Sequence, residues 1–144
     1  MTNHDQAFFS VDGDLLIPSP LARGPWGSTI SGTYIGGLLG RAIELAGGDP
    51  DLQPARLTVD LLRPVALSEP VRVDTSVERE GRRIRLVDAT MRQGDTVVAR
   101  ASALFLRRGE QPPDPAWTLS IDMPPAPTKP ADVSGDFTME LWAY

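Results

Sequence analysis

Two groups of residues in this sequence could together direct water onto an acyl carbonyl carbon. That attack needs a base to accept a proton from the water, and hydrogen-bond donors to stabilise the charge that develops on the carbonyl oxygen. The backbone N–H groups of Gly32 and Thr33 are the candidate donors, because the first N–H groups of a helix are unpaired and carry a partial positive charge. Asp60 is the first candidate base, since a carboxylate among the apolar residues of a strand can be partly desolvated.

These assignments have plainer alternatives. Asp60 also suits an outward-facing strand position. Glu44 is a second candidate base, but it follows Arg41 by three residues on the predicted helix, and that spacing favours a surface ion pair. Ser31 could orient the water or the substrate, although a hydroxyl directly before a helix more often caps it.

Four further residues are candidates for holding the substrate. Trp26 is expected to pack over the start of the helix, with a role as a wall of the acyl pocket as the alternative. Arg63 precedes a proline and could neutralise a phosphate group, or it could be a solvated residue at a strand end. Tyr34 and Gly36 lie on the predicted helix. The missing side chain of Gly36 would leave room for an extended chain.

The composition excludes several other kinds of chemistry. The 144 residues include 14 Lys and Arg against 19 Asp and Glu, and the net charge of -5 argues against nucleic acid or a membrane surface as a partner. The chain has no cysteine, which excludes disulfides, a thiolate nucleophile and sulfur-ligated zinc. Its one histidine, His4, lies in a polar N-terminal stretch. We therefore expect a cytoplasmic protein without a metal site.

One long helix must carry most of the candidate residues. The sequence predicts it from Ser31 to Ala46, because apolar residues recur there at intervals of three and four. Residues 47–50, Gly-Gly-Asp-Pro, are a strong stop signal. Ahead of the helix, residues 7–17 read as a short strand or hairpin around the turn dipeptide Asp12-Gly13.

Three glycines form a stripe along this helix. Gly32, Gly36 and Gly40 stand four residues apart, and each costs about 1 kcal/mol of helix stability relative to alanine. Close approach of the helix to a sheet is the expected compensation, and a slot for an acyl or pantetheine chain is the alternative. Because Ala99, Ala101 and Ala103 alternate on one face of a predicted strand, we expect them to lie opposite the glycines.

The rest of the chain predicts a sheet followed by a tail. Period-two alternation indicates strands at 57–61, 71–77, 82–91 and 96–107, and short turns make the last three an antiparallel meander. Proline-rich sequence follows, and its end is apolar again at 137–144. We predict one domain over residues 1–109, and a linker or strap over 110–144.

Four segments together resemble the hotdog superfamily, and more closely the N-terminal half of the double-hotdog acyl-CoA thioesterases. The segments are Ser31-Gly32-Thr33-Tyr34-Ile35-Gly36-Gly37-Leu38-Leu39-Gly40-Arg41-Ala42, Leu61-Leu62-Arg63-Pro64-Val65, Glu80-Gly81-Arg82 and Ala99-Arg100-Ala101. Two residues depart from the family pattern: Ser31 stands where relatives often have histidine, and Thr33 where they often have a second glycine. The Asp, Thr and Gln that activate water in two-repeat relatives lie largely in a second repeat, which this chain stops short of.

The resemblance implies an α+β hotdog fold, in which an antiparallel sheet wraps around one long central helix. It implies hydrolysis of an acyl-CoA or related acyl thioester by direct attack of water, without a cofactor, in fatty acid metabolism. The alternative is a non-catalytic hotdog subunit that binds acyl-CoA or completes an assembly. Hotdog hydratases are disfavoured, because they use a histidine and His4 is badly placed. In either case an exposed sheet edge predicts a homodimer, or a larger hotdog assembly, with any site at the interface.

Overall fold

The computed structural model describes residues 7–110, 113–114 and 119–125. The chain divides into two units, Met1–Gly109 and Glu110–Tyr144. Every helix and strand of the described residues lies in the first unit: β1 (Phe9–Asp12), β2 (Leu15–Pro18), a 3-10 turn (Pro20–Ala22), α1 (Gly32–Gly47), β3 (Leu52–Leu61), β4 (Arg72–Glu80), β5 (Ile84–Gln93) and β6 (Thr96–Arg107). A linker or strap role for the second unit stays a prediction, and the apolar segment 137–144 and His4 lie outside the described residues.

The main sheet has four antiparallel strands in the order β3-β6-β5-β4. The predicted meander of the last three strands is confirmed. β1 and β2 form the predicted hairpin, whose turn places Gly13 at a φ of 63°. Backbone hydrogen bonds between Leu16 and Val71 attach this hairpin beside the start of β4. One sheet with one long helix is the predicted α+β hotdog architecture.

The helix begins and ends within one residue of its predicted bounds. Its buried residues recur every four positions, at Ile35, Leu39, Ile43 and Gly47. This stripe packs on β4, β5 and β6 and joins the hydrophobic core. At Gly47 the helix approaches the sheet closely, since an added Cβ would lie 2.6 Å from Val87 Cγ2.

The glycine stripe faces a different strand from the one predicted. A Cβ on Gly32 would lie 2.8 Å from Leu61 Cδ1, and one on Gly40 would lie 3.6 Å from Leu57 Cδ2. Both leucines belong to β3, whereas Ala99, Ala101 and Ala103 are buried core residues of β6. The pairing of glycines with alanines is therefore wrong. A Cβ on Gly36 would meet nothing within 4 Å, so the space between helix and β3 is open at that level.

Arg85 fastens the C-terminal end of the helix to the sheet. Its Nη1 donates a 2.8 Å hydrogen bond to the carbonyl oxygen of Gly47, and its Nη2 lies 2.6 Å from Glu80 Oε1. The side chain is only 16% exposed. A cation that satisfies a terminal helix carbonyl also interacts favourably with the negative end of the helix dipole.

Candidate functional site

The first turn of α1 presents two free backbone donors. Ser31 is the N-cap, and its carbonyl oxygen accepts hydrogen bonds from the N–H groups of Tyr34 and Ile35, at 3.0 and 3.1 Å. Its hydroxyl makes no capping bond. Within the described part of the chain, the N–H groups of Gly32 and Thr33 have no protein acceptor. The predicted pair of donors is thus available to a ligand.

Backbone hydrogen bonds hold the residues before the helix in place. The N–H of Ser31 donates to Ala22 at 2.9 Å, and the N–H of Ile30 donates to Val65 at 2.9 Å. Thr29 caps a local turn, since its Oγ1 donates to the Trp26 carbonyl oxygen at 2.8 Å. The start of the helix is therefore fixed between the 3-10 turn and the chain that follows β3.

A cavity of about 460 Å³ opens beside this helix start. We call it the N-terminal cavity, and its lining residues are Trp26, Thr29, Ile30, Gly32, Ile35, Leu61, Leu62, Arg63, Pro64 and Val65. Three predicted site residues, Trp26, Gly32 and Arg63, meet here. Trp26 is 84% exposed, so its packing over the helix start is not found. The lining is apolar apart from Thr29 and Arg63, and it contains no carboxylate.

The other helix residues of the predicted site do not line this cavity. Thr33 is exposed beside its free N–H. Tyr34 stacks on Phe8, with ring centroids 4.2 Å apart. Gly36 is half-buried and borders open space.

Asp60 is not brought together with these residues. Successive side chains of a strand point to opposite faces, and Leu61 points towards Gly32. Asp60 therefore faces away from the helix, where it stands opposite Arg100 of β6. The residue is exposed, so the expected desolvation is absent in the single chain. Its role as a base stays a prediction that this position does not favour.

A second cavity, of about 440 Å³, lies at the other end of the helix. We call it the C-terminal cavity, and it is lined by Gly40, Ile43, Glu44, Gly48, Asp49, Leu52, Pro54, Leu57, Ala103 and Phe105. The sequence pattern did not predict this cavity, although the glycine-rich helix stop with acidic neighbours was a signal. Glu44 makes the predicted ion pair with Arg41, at 2.9 Å, and its side chain is 65% exposed.

Both cavities lie along the exposed strand β3. Among the residues that the structure describes, β3 pairs only with β6, and its other edge is free. Leu57 is 50% exposed and Leu61 is 55% exposed, and Leu62 directly after the strand is 51% exposed. Exposed apolar side chains beside an unpaired strand edge mark a surface suited to association.

The described residues contain no cluster of three His, Asp or Glu side chains able to hold a metal ion. In the same part of the chain, no helix has the length and apolar character needed to cross a membrane.

The sequence matches the family model of the acyl-CoA thioesterase N-terminal domain over residues 22–106. No curated protein matches it.

Several solved structures share the fold. A Bacillus halodurans protein whose crystal structure was determined with CoA superposes with a TM-score of 0.56 at 19% identity, covering 64% of this chain and 64% of that chain. The tesB protein of Mycobacterium avium subs paratuberculosis has a TM-score of 0.59 at 21% identity, over 83% of this chain and 44% of that chain. The Escherichia coli PaaI protein, from the phenylacetic acid degradation operon, has a TM-score of 0.59 at 16% identity, over 66% and 70%. This chain thus spans less than two thirds of the first two proteins, and the likeness confirms the hotdog fold.

Proposed function

Because this chain belongs to the acyl-CoA thioesterase N-terminal domain family, we propose that it hydrolyses an acyl-CoA or a related acyl thioester. The observation that carries the proposal is the pair of free N–H groups at Gly32 and Thr33 beside an apolar cavity. Such donors stabilise the oxyanion that forms when a thioester carbonyl is attacked. Because the backbone around the site holds it in place, its donors need no rearrangement during the reaction.

The N-terminal cavity suits the two chemically different ends of such a substrate. Its apolar walls, among them Leu61, Leu62 and Val65, fit an acyl or pantetheine chain. Arg63 supplies a positive charge for a CoA phosphate. The exposed Trp26 offers a flat apolar surface at the cavity mouth, where a substrate would cover it. The Bacillus halodurans protein, whose crystal structure was determined with CoA, supports a CoA thioester as the substrate proposed for this chain.

The proposed reaction is a direct hydrolysis without a cofactor. Water, deprotonated by a carboxylate, adds to the carbonyl carbon, and the oxyanion is held by the N–H groups of Gly32 and Thr33. The carbon–sulfur bond then breaks, and the base, now protonated, returns its proton to the CoA thiolate. Free CoA and a carboxylic acid leave.

A second candidate function is binding of acyl-CoA without turnover. The observation that favours it is the absence of any carboxylate from the lining of the N-terminal cavity. A thiol-release assay over acyl-CoAs of several chain lengths separates the two functions. Release of CoA supports the hydrolase, whereas binding without release supports the non-catalytic subunit.

The free edge of β3 supports assembly into a homodimer. The dimer is expected to place the site at the subunit interface, since both cavities adjoin this edge. We further propose that the protein acts in the cytoplasm, in fatty acid metabolism. Sedimentation of the purified protein tests the dimer directly.

A further inference from the structure

The N-terminal cavity extends from a buried floor to an exposed rim. The core residues Ile30, Ile35 and Val65 form its floor, and each is at most 5% exposed. The rim carries Trp26, which is 84% exposed, and Arg63, which is also exposed. A buried apolar floor suits the acyl group of the proposed substrate. The rim is then left for the polar carrier to which the acyl group is joined.

The ring of Trp26 is the largest apolar surface at this rim. Among the residues that the structure describes, the stacked ring pair is Phe8 with Tyr34, so Trp26 has no aromatic neighbour. An indole ring in water forgoes the free energy that its burial would release. An acyl chain laid on so exposed a ring would itself stay largely in water. A flat, polar-edged ring stacked on the indole would bury both faces and keep its own edges solvated.

Backbone contacts hold Trp26 at the rim. Its carbonyl oxygen accepts the 2.8 Å hydrogen bond from Thr29 Oγ1, and Gly27 after it turns the chain with a φ of 73°. The carbonyl oxygen of Ser28 accepts a 2.9 Å bond from the N–H of Leu67. Because the backbone is already fixed, a ligand that stacks on Trp26 orders little more than the side chain itself.

Arg63 adds a positive charge to the same rim. The N–H groups of Leu62 and Arg63 donate to the carbonyl oxygen of Val98, at 3.0 and 3.1 Å, and fix the backbone there. Within the described part of the chain the Arg63 guanidinium forms no ion pair, and the cavity lining has no carboxylate to oppose an anion. Arginine binds phosphate oxygens with paired hydrogen bonds. An aromatic face beside a phosphate-binding charge is a pair of groups suited to a nucleotide.

We infer that Trp26 stacks on the adenine ring of CoA and thereby makes the site select CoA thioesters over thioesters that lack a nucleotide. This inference rests on the proposed thioester hydrolysis. Arg63 then meets a CoA phosphate, and the flexible pantetheine arm leads to the carbonyl group at the N–H groups of Gly32 and Thr33. Trp26 is a specificity-determining residue and takes no part in the bond changes.

The test compares two thioesters of one acyl group, acyl-CoA and acyl-N-acetylcysteamine, which has no nucleotide. Trp26→Ala should raise the KM for acyl-CoA by about 5-fold to 150-fold, the range expected when a base loses one aromatic stacking partner. The KM for acyl-N-acetylcysteamine should not change. Neither kcat should change, since stacking holds the ground state and the transition state equally. Because the ring is exposed, the melting temperature should also be unaffected.

Two matched variants accompany Trp26→Ala. Trp26→Phe keeps an aromatic face and should keep most of the affinity for acyl-CoA. Leu45→Ala removes another exposed apolar side chain, 70% exposed, from a position that lines neither cavity. It should leave the KM for both thioesters at the wild-type value.

A second measurement does not depend on turnover. ADP carries adenine and phosphate groups but no thioester, and stacking of its base should quench the fluorescence of Trp26. The chain also contains Trp117 and Trp142, so the quench is compared with that of Trp26→Phe. The expected result is a saturable quench in the wild type that is lost in the variant.

Two results overturn the inference while leaving hydrolysis standing. One is an equal rise in KM for both thioesters in Trp26→Ala, which would make the ring a wall for the acyl group. The other is a fluorescence that ADP leaves unchanged, or quenches equally in Trp26→Phe. A wild type that releases no thiol from any acyl-CoA, yet shows the Trp26-dependent quench, overturns the proposed hydrolysis and leaves the nucleotide contact standing.

Discussion

The oxyanion donors can be tested at Gly32 by removing a single N–H. Gly32 is the first residue of the helix, where proline is well tolerated because its missing N–H has no helical acceptor. Ser31 before it has φ -62° and ψ 136°, a conformation that a following proline favours. Gly32→Pro should therefore fold, with a change in stability of about 1 kcal/mol or less.

Gly32→Ala provides the matched control for this variant. Alanine adds the same Cβ, 2.8 Å from the movable Cδ1 of Leu61, but keeps the N–H. Losing one donor from an oxyanion hole lowers kcat by about 100-fold to 1000-fold, which corresponds to about 3 to 4 kcal/mol. The expected result is that Gly32→Pro loses this factor relative to Gly32→Ala in a thiol-release assay, at similar melting temperatures. Equal kcat values in the two variants would refute the assignment.

Four further outcomes are expected. Gly47→Ala should destabilise the protein by about 1 to 3 kcal/mol, because the new Cβ would lie 2.6 and 3.2 Å from buried side chains. Its counterpart Gly37→Ala would place a Cβ with nothing within 4 Å, and it should stabilise the protein by about 0.5 to 1 kcal/mol, as thermal melts of the two variants would show. Arg85→Met should cost about 2 kcal/mol in a urea titration, since a charged hydrogen bond to the helix end is lost. Arg63→Gln should raise the KM for acyl-CoA more than the KM for a thioester without the nucleotide, and equal changes would exclude a phosphate contact. Asp60→Ala should keep its turnover because the residue is exposed and faces away from the helix, and a large loss would restore Asp60 as the base.

Local pattern was sufficient to predict the helix and the meander. The apolar spacing and the Gly-Gly-Asp-Pro stop fix α1 to within one residue of its observed bounds. The start of β3 was missed, since the strand begins at Leu52 and the alternation of its apolar residues begins only at Leu57. Pro54 and a register shift between Pro54 and Arg56 interrupt the pattern. An edge strand tolerates both features, because proline need not donate to a neighbour there.

Of the candidate site, only the backbone donors could be predicted from the sequence. The free N–H groups at Gly32 and Thr33 follow from where the helix begins, which the sequence indicates. The strand that the glycines face depends on how the sheet wraps around the helix. The alternation of residues along a strand therefore could not predict that Gly32 contacts Leu61 and not the alanines. The orientation of Asp60 was open for the same reason, until the strand's helix-facing residues were known.

The most direct test of the central claim is a thiol-release assay with the purified chain over acyl-CoAs from short to long chain length. Thioester hydrolysis predicts release of one CoA per acyl-CoA consumed, with saturation kinetics and a dependence on the N–H of Gly32. No release with any acyl-CoA, in a protein that measurably binds at least one of them, would contradict hydrolysis and favour the non-catalytic subunit.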